Sequence, residues 1–142
     1  MKALRLALCL LAAAVGPVAA QVTVEVIQEQ DQFLPGEAMP TAVRITNRSA
    51  RDLRLGAEKD WLVFSVQTRG VEVVPKLGEV PVAGEFILGS SKVATKYVDL
   101  APYFFINRTG RYIVTATVRI REWDREVTSP PKEFNVSDGA KL

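Results

Sequence analysis

Gly110-Arg111-Tyr112-Ile113-Val114-Thr115-Ala116-Thr117-Val118-Arg119-Ile120 decides the fold of this chain. Tyr112, Val114, Ala116, Val118 and Ile120 fall on one face, whereas Ile113, Thr115, Thr117, Arg119 and Arg121 fall on the other. Side chains of a strand alternate every two residues, so this spacing predicts a half-buried antiparallel strand. A Gly-closed polar loop beginning at Asp99-Leu100-Ala101-Pro102-Tyr103 feeds it.

The same period of two recurs on either side. Val22, Val24 and Val26 alternate with Thr23 and Glu25 in a first strand, and Phe33-Leu34-Pro35-Gly36-Glu37 then makes a Pro-Gly turn. Residues 39–47 predict a second strand, with Thr41, Val43 and Ile45 on one face and Pro40 at its start, since proline cannot donate to a ladder. Short strands follow at 53–55, 61–68, 71–74 and 86–88, then at 92–100. The last strand, 127–136, is bent or pushed to an edge by Pro130-Pro131. No segment carries apolar residues at helical spacing. Many short strands without helices predict an all-β chain, an immunoglobulin-like antiparallel two-sheet sandwich.

The N-terminus reads separately. Lys2 and Arg5 precede an apolar run at 6–15, and Val18 and Ala20 are small residues at cleavage spacing. This is the pattern of a cleavable signal peptide over 1–20, ending between Ala20 and Gln21, with one domain over 21–142. The run is shorter than the roughly 20 apolar residues that cross a bilayer. Cys9, the only cysteine, lies inside the run instead of after small residues at its end, which argues against lipidation. The reading therefore places the chain in the periplasm or outside the cell, with no membrane span after cleavage. The mature chain would hold no disulfide.

Charge limits the partners. Of 18 basic residues, Lys2 and Arg5 belong to the leader, leaving 16 against 16 acidic ones. A neutral domain gives no electrostatic case for nucleic acid. Another protein, or further domains of the same chain, is the expected partner; a linker would begin at Ser137-Asp138-Gly139, just after the last strand.

Histidine is absent and cysteine is confined to the leader, which excludes Ser-His-Asp, Cys-His and His-based metal chemistry from the mature chain. Asp60, Glu72, Glu79, Glu85, Asp99 and Asp124 sit in or beside loops, but nothing in their spacing holds two of them at a bond. A calcium loop of the Asp-x-Asp-x-Asp-Gly kind is missing. No cofactor is expected, and the chain reads as a non-enzyme. Trp61, at the start of an apolar strand, reads as core. Trp123 lies at a charged hairpin tip: it either covers its own sheet beside Arg121 and Arg125 or stands out as an aromatic anchor. With Arg119 and Arg121 it makes the candidate binding surface, suited to acidic or glycan ligands. Asn47-Arg48-Ser49, Asn107-Arg108-Thr109 and Asn135-Val136-Ser137 match the glycosylation acceptor pattern.

The turn at Phe33-Leu34-Pro35-Gly36-Glu37, the strand Val43-Arg44-Ile45-Thr46-Asn47 and the run from Gly110 to Ala116 resemble immunoglobulin-like sandwich modules of exported bacterial proteins. They are similar, more loosely, to bacterial proteinase-inhibitor domains of the same fold. The resemblance implies that Tyr112 anchors the loop before a late strand; the chain departs from the antibody pattern in having no cysteine pair, so that disulfide is missing. The export signal, the strand pattern and the missing catalytic residue types point to a non-catalytic interaction or accessory module. The inhibitor likeness, with residues 75–91 as a loop that could be presented, gives a proteinase inhibitor as the alternative, and Trp123 with its polar neighbours gives a carbohydrate-binding module as another. No inhibitory residue carries over.

Overall fold

The computed structural model describes residues 21–82 and 84–138; the expected signal peptide at 1–20 lies outside the described residues. Ten strands follow in order: β1 (Val22–Ile27), β2 (Gln32–Phe33), β3 (Pro40–Asn47), β4 (Leu53–Leu55), β5 (Leu62–Thr68), β6 (Phe86–Leu88), β7 (Val93–Asp99), β8 (Gly110–Ile120), β9 (Arg125–Thr128) and β10 (Lys132–Val136). One sheet has the order β1-β3-β7, and the other β2-β10-β8-β5 with β9 also on β8. Their inner faces supply the core. Val22, Val24, Val26, Val43 and Ile45 come from the first sheet, and Phe64, Val66, Val114, Ala116, Val118 and Phe134 from the second; all are buried. Phe134 stacks on Tyr112 with ring centres 5.5 Å apart and meets Phe33 edge-on at 5.8 Å. The all-β sandwich is therefore confirmed, and the alternation read from residues 110–120 is the alternation seen.

Four details differ from the expectation. A third, two-stranded sheet pairs β4 with β6, so the sandwich is not closed by two sheets alone. β2 lies parallel to β10, so the pairing is not wholly antiparallel. The last expected strand is two strands, β9 and β10, laid end to end along one edge of β8. Pro130 and Pro131 lack the N–H groups a ladder needs; at the break the Ala116 N–H donates to Ser129 Oγ (2.9 Å) and the Ser129 N–H to the Ala116 carbonyl (2.8 Å). β10 thereby keeps an interior place between β2 and β8. Finally, the strand expected at 71–74 shrinks to a bridge between Val73 and Gln67. Thr68-Arg69-Gly70-Val71 closes a tight turn, with the Val71 N–H on the Thr68 carbonyl, and Val71 takes φ 73°. A β-branched residue at positive φ cannot continue a strand.

Two local features hold loops as the sequence suggested. The Glu37 N–H donates to the Leu34 carbonyl (3.0 Å) across Pro35 and Gly36, with Gly36 at φ 77° as that turn requires. The Tyr112 hydroxyl donates to the Arg108 carbonyl (2.7 Å), pinning the loop before β8 from inside the core.

Candidate functional site

The three residues picked from sequence do not form one surface. β8 ends at Ile120, so Arg119 is its last outward residue, while Arg121 and Trp123 belong to a 3-10 turn, Arg121–Trp123. Asp124 closes that turn at φ 49° and starts the return into β9. Arg119 and Arg121 therefore do not share a strand face, as the spacing had implied.

Both arginines are already occupied. Arg119 Nη1 reaches Asp60 Oδ2 at 2.7 Å, and its Nη2 reaches Glu126 Oε1 at 3.0 Å. The hydrogen bond to Glu126 and the charge of Asp60 raise Arg119 above its ordinary value. Arg121 Nη1 lies 2.6 Å from Glu58 Oε1. These are solvent-facing pairs that contribute little to stability. Their consequence is local: the carboxylates that an acidic ligand would offer are supplied by the chain itself.

Trp123 lies elsewhere. It is half-buried against the core and lines a groove of about 480 Å³ with Gln21, Ser49, Ala50, Arg51 and Arg125. That groove shares only Arg125 with the charged site beside it. Arg51 and Arg125 are exposed and make no ion pair among the described residues. An indole wall with two unpaired guanidinium groups favours a flat or anionic group. Trp61, in contrast, is core: its Nε1 donates to the Val82 carbonyl (2.7 Å) and its ring meets Phe86 edge-on at 5.5 Å.

A second surface escaped the sequence reading. The Phe105 N–H donates to the Pro75 carbonyl (3.0 Å) and the Leu77 N–H to the Tyr103 carbonyl (2.9 Å), with Lys76 opposite Phe104. Phe104 points into the core, so Phe105 on the opposite parity points out. Val73 (73% exposed), Leu77 (61%) and Phe105 (51%) stand on this end of the sandwich, where Val73, Pro75 and Phe105 line one shallow groove. In sequence these residues sit in a Pro/Gly-punctuated stretch without period, and nothing there brings 73–77 beside 103–105.

Within the segment 75–91, which the inhibitor alternative would present as a loop, several points are anchored. Val80 and Val82 are buried, Val82 holds Trp61, and the Gly84 N–H donates to the Gly56 carbonyl (3.1 Å). Among the described residues no three acidic side chains converge as metal ligands. No helix of the described residues is long and apolar enough to cross a membrane.

No protein family and no curated protein matches the sequence. Solved structures do. Spo0M, a sporulation control protein from Bacillus subtilis, superposes with a TM-score of 0.56 at 14% identity over 86% of this chain. The match covers 50% of that chain, so this protein spans about half its length. A CARDB domain from Pyrococcus furiosus, solved in complex with di-metal ions, gives 0.45 at 15% identity, covering 82% of this chain and 87% of that one. A family 123 glycoside hydrolase from Clostridium perfringens gives 0.44 at 9% identity, over 86% and 28%. The first likeness establishes a shared β-sandwich fold and nothing of function; the other two are too distant to carry an argument.

Proposed function

We propose that the chain is an exported, non-catalytic β-sandwich module that contacts another protein, or a further domain of its own chain, through the end of the sandwich carrying Val73, Pro75, Leu77 and Phe105. The observation behind it is that exposed apolar strip: clustered apolar side chains on a soluble domain mark contact surfaces, whereas scattered ones need no explanation. Export, to the periplasm or beyond the cell, rests on the leader pattern of 1–20.

A photo-crosslinking residue at position 105, introduced in the native cells, tests the surface. The expected result is one discrete adduct that Val73→Asp abolishes, with none from the same probe at Tyr97, which is 81% exposed on the other sheet. No adduct from position 105, or equal adducts from both positions, overturns the reading. Cell fractionation tests export; protein recovered only from the cytosol overturns that part.

The Trp123 groove favours a second reading, binding of an acidic saccharide between the indole and Arg51 or Arg125. Binding on a glycan array that survives Trp123→Ala removes it. Burial of Val80 and Val82, with the Val82 carbonyl held by Trp61, weighs against the proteinase-inhibitor alternative.

A further inference from the structure

We propose that Gln21, freed as the N-terminal residue by cleavage after Ala20, cyclises to pyroglutamate in the Trp123 groove. The inference rests on the export reading and goes beyond it. Gln21 joins the fold by its carbonyl, which accepts the Arg48 N–H at 2.6 Å just before β1 begins at Val22. Its N–H donates to no described residue, and its side chain is exposed. The residue is held by its carbonyl while its side chain faces solvent.

The surroundings favour the reaction. Gln21 lines the groove with Arg51 and Arg125, two guanidinium groups that make no ion pair among the described residues. An α-amino group ordinarily titrates near pH 8 (about 7.7–8.0). Cations on the same groove wall disfavour an ammonium there, and so favour a reaction that consumes it. The neutral amine attacks the side-chain carboxamide carbon Cδ. A C–N bond closes the five-membered lactam, the Cδ–Nε2 bond breaks, and Nε2 leaves as ammonia with the proton the amine gives up. No oxidant or co-reactant is consumed. The product removes one cation from a groove that already holds two.

The intact mass of the protein purified from its own cells, followed by N-terminal peptide mapping, tests the inference. The expected N-terminal peptide begins at Gln21 and is lighter than its sequence by one ammonia, with a chain blocked to stepwise sequencing until a pyroglutamyl peptidase opens it. Gln21→Ser, which has no side-chain amide, should give a chain open from its first residue. A chain retaining 1–20 overturns the export reading and this inference with it. A chain beginning at Gln21 with a free amine overturns cyclisation alone. The groove's part is read from a purified domain with a freshly exposed Gln21: Arg51→Ser with Arg125→Ser should slow ring closure severalfold, and an unchanged rate overturns the role of the arginines.

Discussion

Asn47 is fully buried, yet every hydrogen-bonding position of its side chain is used. Nδ2 donates to the carbonyls of Arg51 (2.7 Å) and Leu88 (3.0 Å), while Oδ1 accepts from the Ser49 N–H (2.9 Å) and hydroxyl (2.6 Å). It ties the turn after β3 to the end of β6, and Ser90 extends the link by donating to the Ser49 carbonyl. Removing one partner from such a network leaves the others buried and unsatisfied, at a cost of about 1–3 kcal/mol for each group stranded. Asn47→Ala should therefore lower unfolding stability by about 3 kcal/mol, read as a fall in the urea midpoint with the slope unchanged. Asn47→Asp should cost no less, because it turns an amide that feeds two carbonyls into a carboxylate that repels them. The same geometry removes the first of the three glycosylation patterns in the folded protein, since both hydrogens of its amide are engaged. Asn107, by contrast, is exposed.

At the level of the elements, the close approach of two loops depends on the absence of a side chain. Gly56 sits at φ 90°, and a Cβ there would lie 2.1 Å from the Gly84 carbonyl oxygen. Gly56→Ala should destabilise by about 3 kcal/mol, the upper end for strained backbone, and loosen the cover over Trp61; thermal unfolding followed by Trp fluorescence measures both. β7 is the open edge of its sheet, and Lys96 on it points inward, its Nζ 4.4 Å from the centre of the Phe86 ring. A charge facing inward on an edge strand discourages pairing with a second copy. Lys96→Val should leave the monomer folded but make it associate at raised concentration, as light scattering would detect. These elements also show what was legible beforehand. β1, β3, β5 and β8 could be read because each buries one face, and β7 because it half-buries one; burial of one face writes a period of two into the residues. β2 is two residues long, too short for a period to register, and although 53–55 and 86–88 read as strands, their pairing into a separate sheet joins segments thirty residues apart and leaves no local trace. The strip at Val73, Leu77 and Phe105 depends on two loops meeting across thirty residues, and the pairing of Arg119 with Asp60 on contact across 59 positions; neither leaves a local trace.

For the molecule as a whole, the distribution of charge predicts indifference to pH. The sequence holds no histidine, the one side chain that ordinarily changes charge between about pH 5 and 8. Among the described residues the one shifted group, Arg119, is raised by its carboxylate neighbours. A raised cationic group contributes fully below its unfolded value and loses that contribution only as pH climbs through the raised one, and for a guanidinium both lie far above this range. Urea midpoints should accordingly be flat between about pH 6 and 8, and a slope there would reveal a titrating group that the fold does not account for. A different kind of consequence follows from β8. It is flanked along one edge by β5 and along the other by β10 and β9 in succession. No edge of it can open without dissolving a neighbouring strand, so its amides trade hydrogen for deuterium only when the entire sandwich comes apart. In heavy water, residues 112–118 should be the last to acquire deuterium, hours behind the turn at 68–71, and their exchange rate alone would report the global unfolding free energy without any denaturant.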